Sequence, residues 1–176
     1  ADQGISRPED IVEFARFISE SGLRLDRLIE NYFIYAQLEL IQSDPHELQA
    51  ARNHLVKDCA VTITDAAIER AQKFNRMDDV QLDLYPLAMR ISEKDLAKII
   101  FELVDNALKF SPSGSPVRIK SMRREDQLHI FVYDKGRGMT VEQIQSIDAY
   151  MQFGRELYEQ QGLGLGFTLA KRLVEL

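Results

Sequence analysis

Glu102, Asn106 and Lys109 fall within one run, Asp95-Leu-Ala-Lys-Ile-Ile-Phe-Glu-Leu-Val-Asp-Asn-Ala-Leu-Lys109, whose residue types favour a helix. Spaced four and three apart, the acid and the amide make one polar spot on an apolar face, with a lysine a turn further on. An acid and an amide so placed suit a hydrated divalent cation, because such ions take few protein oxygens and keep several waters. Two glycine clusters follow, Asp134-Lys-Gly-Arg-Gly138 and Gly162-Leu-Gly-Leu-Gly166. Backbone without Cβ atoms can approach a planar base and a polyphosphate closely, and the second cluster opens a helix whose N-terminal amides attract anions. Each cluster alone is common. In this order and together they point to a nucleotide site. A dinucleotide fingerprint needs a strand before its glycines, but the lead-in here is polar, Glu156-Leu-Tyr-Glu-Gln-Gln161, and the Gly-Lys-Ser/Thr ending of a P-loop is absent.

The elements that must position these residues are legible from periodicity. Residues 9 to 42 read as one long amphipathic helix, with Ile11, Ile18, Leu25 and Tyr32 recurring every seven residues and Phe14, Leu28 and Tyr35 between them. Ser21-Gly22 weakens that seam, and Ser43-Asp44-Pro45 ends the run. A short connecting helix is expected over 46–57, a second amphipathic helix over Thr64–Met77, a half-buried strand over Val80–Tyr85 and the polar-spotted helix over 93–110. After the turn Ser111–Pro116, the alternating segments Val117–Met122 and Leu128–Tyr133 form an antiparallel pair, followed by helices over Thr140–Met151 and Gly166–Leu176. The fold class is α+β, helices on one face of a sheet.

Taken together, these residues resemble the ATP-binding catalytic domain of sensor histidine kinases, part of the GHKL group with gyrase, the ATP-dependent heat-shock chaperones and MutL. The family's N box corresponds to Glu102-Leu-Val-Asp-Asn106-Ala-Leu-Lys109-Phe110, its first glycine box to Asp134-Lys-Gly136-Arg-Gly138-Met139, and its second to Gly162-Leu-Gly164-Leu-Gly166-Phe167. The resemblance covers residues 59–176 and implies a GHKL-type sandwich with a mixed sheet. It implies ATP and Mg²⁺ as cofactors, with Asn106 the metal ligand, Glu102 assisting the metal shell through water, and both counted as catalytic. Lys109 would act on phosphate oxygens as a point charge. Asp134, expected as a buried carboxylate after the apolar strand Ile130-Phe-Val-Tyr133, would accept from the exocyclic amine of adenine. Gly136 and Gly138 would form the turn beneath the base, Met139 an apolar wall, and Gly162, Gly164 and Gly166 the phosphate cradle. Residues between Phe153 and Gly162 correspond to the ATP lid, from which Arg155 would reach the γ-phosphate, with Tyr158, Gln160 and Gln161 as weaker contacts.

A looser resemblance extends upstream. Arg24-Leu-Asp-Arg-Leu-Ile-Glu-Asn-Tyr-Phe-Ile-Tyr-Ala-Gln-Leu-Glu39 is similar to the second helix of the kinase dimerisation hairpin, which implies a homodimer through a helical bundle. The expected layout is a dimerisation helix at 1–45, a connecting segment at 46–58 and the ATP-binding domain at 59–176. The family's acceptor histidine lies in His-Glu-x-x-Thr-Pro on the first hairpin helix. This chain offers only His46, His54 and His129, and His46-Glu-Leu-Gln49 lacks Thr-Pro and follows the second-helix match. Against the family, the chain starts at the hairpin loop and stops before two further strands, so a piece of a longer kinase, with its acceptor elsewhere, is the expectation. The function implied is transfer of the ATP γ-phosphate to that histidine and on to a response regulator receiver domain. A degenerate, nucleotide-sensing dimerisation module and a GHKL-type ATPase are the alternatives.

Bulk composition narrows the classes. The 176 residues carry a net charge of −6, which disfavours a nucleic-acid binder or a polybasic membrane anchor. No apolar run approaches the roughly 20 residues of a membrane span, so no membrane contact by this segment and a cytoplasmic location are expected. The single Cys59 forms no internal disulfide and reads as a small buried hydrophobe.

Overall fold

The computed structural model describes residues 7–144 and 165–176. Helix α1 (Pro8–Ser43) runs unbroken through Gly22, with Pro8 in its first turn, where no N–H donor is needed, and Glu9 and Asp10 opposing the helix dipole. Asp44 ends it and caps α2 (Pro45–Arg52) by accepting from the His46 amide at 2.8 Å. Helix α3 (Cys59–Lys73) starts five residues before the expected Thr64. The β-branched stretch Val61-Thr-Ile-Thr64 hides the start in a propensity reading, and the deciding feature is the Asp58 cap on the Ala60 amide at 2.9 Å. It also ends earlier than expected, at Lys73. Asn75 takes a positive φ of 53°, and a 3₁₀ turn covers Met77–Asp79.

Strand β1 (Val80–Asp83) is two residues shorter than its alternating pattern suggested. Helix α4 (Glu93–Phe110) has the expected bounds. Ser92 caps it by accepting from Asp95 at 3.0 Å, and Leu96, Ile99, Ile100, Val104, Ala107 and Leu108 form its buried stripe. Strands β2 (Val117–Arg124) and β3 (Gln127–Tyr133) meet across a tight turn in which Glu125 has φ 53°. β1 pairs parallel with β2 and β2 antiparallel with β3, giving a mixed sheet of order β1-β2-β3 among the described residues. Residues 141–144 begin a helix, the rest of the expected Thr140–Met151 segment lying outside the described residues, and α5 spans Leu165–Glu175.

The architecture is α+β. The main core lies between the sheet and helices α3 and α4: Ile63, Ala67, Ile100, Val104, Val117 and Ile119 are fully buried, with Leu82, Ile130 and Val132 packed against them. Cys59 is also fully buried there, and Val56, bridged to Met89, enters the same core ahead of α3. A second, smaller cluster joins Leu38 of α1 to Ile99 of α4 and Leu169, Ala170 and Leu173 of α5.

Helix α1 therefore has two working faces. At about 100° per residue, Arg27, Asn31, Ile34 and Leu38 share the face turned to α4 and α5. The seam Ile11, Ile18, Leu25 and Tyr32 lies about 160° away from it and is exposed, Ile18 at 69%.

Candidate functional site

A cavity of about 240 Å³ lies between the second half of α4, the end of β3 and the start of α5. Leu103, Asn106, Ala107 and Phe110 line it from α4, Val132 and Asp134 from β3 and its exit, Arg137, Gly138, Met139 and Gln143 from the following loop, and Phe167 from α5. The walls are apolar apart from a few convergent polar groups, the usual make-up of a small-ligand site. Asn106 sits on α4 because the helix buries its aliphatic stripe in the core and turns the flanking face to the cavity.

The loop after β3 is held by two different requirements for glycine. A Cβ on Gly136 would stand 2.6 Å from Asp134 Oδ1 and 2.8 Å from the Phe110 carbonyl oxygen, so only glycine lets this loop pass the end of α4. Gly138 has open space around it but a φ of +64°. Asp134 is exposed, which corrects the expectation of a buried carboxylate: β3 ends at Tyr133, and the chain has already turned outward. Its Oδ1 accepts from the Gly136 amide at 2.6 Å, so the carboxylate also shapes the turn. Arg137 stacks over Phe110, 4.8 Å from the ring centroid.

Glu102 does not line the cavity. Although one turn before Asn106, its carboxylate is 1% exposed and faces α1, where Arg27 Nη2 donates to Oε2 at 2.7 Å. Lys98 Nζ stands 3.0 Å from Oε1, an ion pair without hydrogen-bond geometry. The backbone of Gly166 presses on the same carboxylate: a Cβ there would meet Oε2 at 2.0 Å. Asp105, also buried, accepts from Arg27 Nη1 at 2.6 Å and from Arg70 Nε at 2.6 Å, with Arg70 Nη2 in still closer contact. Arg70 lies over the Phe101 ring at 4.1 Å. Burial alone would lower the Arg27 pKa, but the charge of Glu102 and the hydrogen bond and charge of Asp105 outweigh it and raise it.

Lys109 is exposed at the end of α4, 5.2 Å from the Phe110 ring centroid and off the cavity wall. Arg155, Gly162 and Gly164 lie outside the described residues, as do Tyr158, Gln160 and Gln161. Four contributors are not among the residues the sequence points to: Gln143, Phe110, Phe167 and Arg76. Gln143 had a legible signal: Thr140-x-x-Gln143 is a capping box, with Thr140 N donating to Gln143 Oε1 at 2.9 Å and Gln143 N to Thr140 Oγ1 at 3.2 Å. Phe110 and Phe167 sit inside the motifs but look like core residues until the cavity between them is seen. Arg76 had no local signal. It is buried beneath the end of α4 and donates to the carbonyls of Leu108, Ser111, Pro112 and Ser115, fixing the turn that carries Phe110.

Residues 91–176 match the sequence profile of a family described as histidine kinase-, DNA gyrase B-, and HSP90-like ATPase. That segment belongs to this family. The sensor protein kinase PmrB of Pseudomonas aeruginosa is 28% identical over 163 residues, which are 90% of this chain and 32% of that protein. The circadian input-output histidine kinase CikA of Thermosynechococcus vestitus is 28% identical over 93% of this chain and 22% of its own length. The chain thus spans about a third or less of these curated relatives. The solved structure of the histidine kinase AdeS of Acinetobacter baumannii superposes with a TM-score of 0.65 at 16% identity, over 98% of this chain and 76% of that one, a likeness of fold. The chain carries a sensor histidine kinase-type ATPase domain of the GHKL fold, preceded by a long helix. Among the described residues no helix is long and apolar enough to cross a membrane.

Proposed function

We propose that the cavity binds the adenosine end of ATP and that the chain is the ATP-binding catalytic portion of a two-component sensor histidine kinase. The observation that carries this is the convergence of Asn106 from α4 with Asp134, Gly138 and Met139 from the loop after β3 on one apolar cavity. Leu103, Val132, Met139 and Phe167 offer apolar surface to a base. With Oδ1 engaged by Gly136, Asp134 Oδ2 is the oxygen we assign to the adenine amine, a contact that guanine would not reproduce. The amide oxygen of Asn106 fits an ion that takes few protein ligands, and we assign it to Mg²⁺. Bound Mg²⁺ would neutralise charge on the phosphates. Phosphate contacts by Lys109, exposed at the end of α4, and by Arg155, Gly162, Gly164 and Gly166 follow from the motif match alone. Glu102 could join the metal's water shell only after giving up Arg27.

In this reading the protein positions the γ-phosphate for attack by a histidine, and catalysis rests on alignment and charge neutralisation. His46 and His54 lie on or just after α2 and His129 on β3, away from the cavity lining, which supports an acceptor elsewhere in the kinase. The exposed seam of α1 would pair with a second copy, with residues 1–45 as the dimerisation helix, 46–58 the connection and 59–176 the nucleotide domain. A response regulator receiver domain would take the phosphate, in the cytoplasm.

The test is calorimetric titration of Mg-ADP into the wild-type chain, Asn106→Ala and Asp134→Ala, after circular dichroism shows that all three fold. Each substitution should weaken binding by tenfold or more, about 1.4 kcal/mol, and Asn106→Ala should abolish the difference made by Mg²⁺. A folded wild-type chain that binds no nucleotide, or Asp134→Ala binding like wild type, would sink the assignment.

A further inference from the structure

The sheet has a second face that neither the core nor the cavity uses. Side chains alternate across a strand. Val117 and Ile119 of β2, and Ile130 and Val132 of β3, turn to the core. Their neighbours therefore stand on the opposite face, and the register sets them side by side: Tyr133 against Arg118, Phe131 against Lys120 and His129 against Met122. A solvated sheet face ordinarily carries polar residues, whereas three successive outward positions of β3 carry rings. These rings form a ladder. Their centroids are 6.2 Å apart from His129 to Phe131 and 6.0 Å from Phe131 to Tyr133, with planes 20° and 12° from parallel. Tyr133 is 52% exposed, and Phe131 and His129 are partly exposed.

Charge on this face sorts by strand. Arg118, Lys120 and Arg124 make a cationic row along β2 beside the ladder, with a two-residue step of about 6.8 Å. From β1, Asp83 meets Lys120 at 3.1 Å, and the amide oxygen of Gln81 accepts from Arg118 Nη2 at 3.3 Å. Three cations against one acid leave the face with an excess of positive charge, on a chain whose net charge is −6. Aromatic rings and arginine are the side chains that protein interfaces favour, and the local sign of charge selects a partner of the opposite sign. A nucleic-acid strand also seeks cations and rings. Asp83 within the row and the acidity of the whole chain oppose a phosphate backbone, so a protein segment is favoured.

We propose that the outer face of the sheet, with its β2 cations beside the β3 ring ladder, docks an acidic protein segment that carries apolar side chains among its acids. The acids answer Arg118, Lys120 and Arg124, and the apolar groups cover Phe131 and Tyr133. Asp83 gives up Lys120 to an incoming carboxylate. The cavity lies across the sheet from this face, where Val132 lines it, so the docking surface stands independently of the nucleotide reading.

Fluorescence anisotropy on the whole chain tests it, with a fluorescein-labelled peptide that alternates Glu-Asp and Leu-Phe pairs as the probe. Arg118→Glu should weaken binding by tenfold or more and Phe131→Ala by threefold or more. Arg16→Glu, the same reversal at an exposed site on α1, should stay within twofold. In the wild-type chain, amide chemical-shift changes on adding the peptide should concentrate at residues 118–124 and 129–133, a mapping that decides the matter even where a variant misfolds. A probe that does not bind, or shifts centred on Asn106 and Gly138 of the cavity, would overturn the proposal. An Arg16→Glu loss equal to that of Arg118→Glu would reduce the binding to general charge attraction and overturn it as well. Equal binding of a Gln-Asn counterpart of the peptide would remove the role of the cations. Tighter binding of a single-stranded oligothymidine than of the peptide would make the face a nucleic-acid surface instead.

Discussion

Gly166→Ala sets two physical expectations against each other, and they differ in sign. Gly166 lies in the first turn of α5, where alanine in place of glycine ordinarily favours a helix by up to about 1 kcal/mol. The added Cβ, however, would stand 2.0 Å from Glu102 Oε2 and 2.8 Å from its Cδ, where ordinary contact begins at 3.4 Å. The carboxylate and the helix must therefore separate by about 1.4 Å, the difference between 3.4 and 2.0. Glu102 cannot yield freely, because Arg27 at 2.7 Å and Lys98 at 3.0 Å hold it in a nearly sealed site. Overpacking costs about 1–3 kcal/mol, and stretching a buried ion pair adds to it, up to about 3–5 kcal/mol if a partner is lost. Offsetting the helix gain leaves a net loss of about 2 kcal/mol or more, a downward shift of the urea midpoint by about 1 M at an m-value near 2 kcal/mol/M. Urea denaturation of the wild type, Gly166→Ala, Glu102→Ala and the double variant measures it. Truncating Glu102 makes room, so the alanine at 166 should cost far less in that background. A Gly166→Ala chain as stable as wild type, or a cost independent of Glu102, would refute the reasoning.

Two further outcomes follow from Arg76 and its neighbours. Arg76→Ala strips a buried donor from four main-chain carbonyls and from Asp79, and should destabilise the chain by about 3–5 kcal/mol. Arg76→Lys, unable to reach so many acceptors, should recover only part of that in the same urea measurement, and full recovery would contradict the network. The hydrogen bond from Arg76 holds the Asp79 carboxyl below its usual range, helped by the Gly114 amide and the charge of Arg76 against a smaller effect of burial. A depressed folded pKa means that stabilisation is fully present above the unfolded value near 3.9 and fades as pH falls through the folded one. The urea midpoint of the wild type should fall more steeply than that of Asp79→Asn between pH 5 and pH 2.5, and parallel profiles would count against the linkage.

Local chemistry in the sequence determined a good deal. The bounds of α4 follow from a serine cap, an aliphatic stripe and a serine-proline stop, all readable within twenty residues of chain. The β2–β3 pair follows from alternation, and the glycines of Asp134–Gly138 announce a backbone that must pass close to something. The motif order alone pointed to the family that the comparison of residues 91–176 then showed. Signals of this kind survive because caps, periodicity and backbone freedom depend on near neighbours in the chain.

The fate of individual charges was decided by tertiary structure. Periodicity put Glu102 on the side of α4 that carries Asn106, but it could not show that an arginine 75 residues earlier would claim the acid. Asp105 looked like an ordinary helix residue, and its burial became affordable only when Arg70 and Arg27 converged on it from two other helices. Arg76 gathers carbonyls from a turn 32 to 39 residues away. Asp134 came out exposed because the strand before it stops at Tyr133, one residue short of the carboxylate. A charge is stable wherever its partners happen to be, and Glu102, Asp105 and Arg76 each bond to a group 32 or more residues away. Hydrophobic period and turn chemistry are written locally, whereas the pairing of buried charges exists only once the helices have packed.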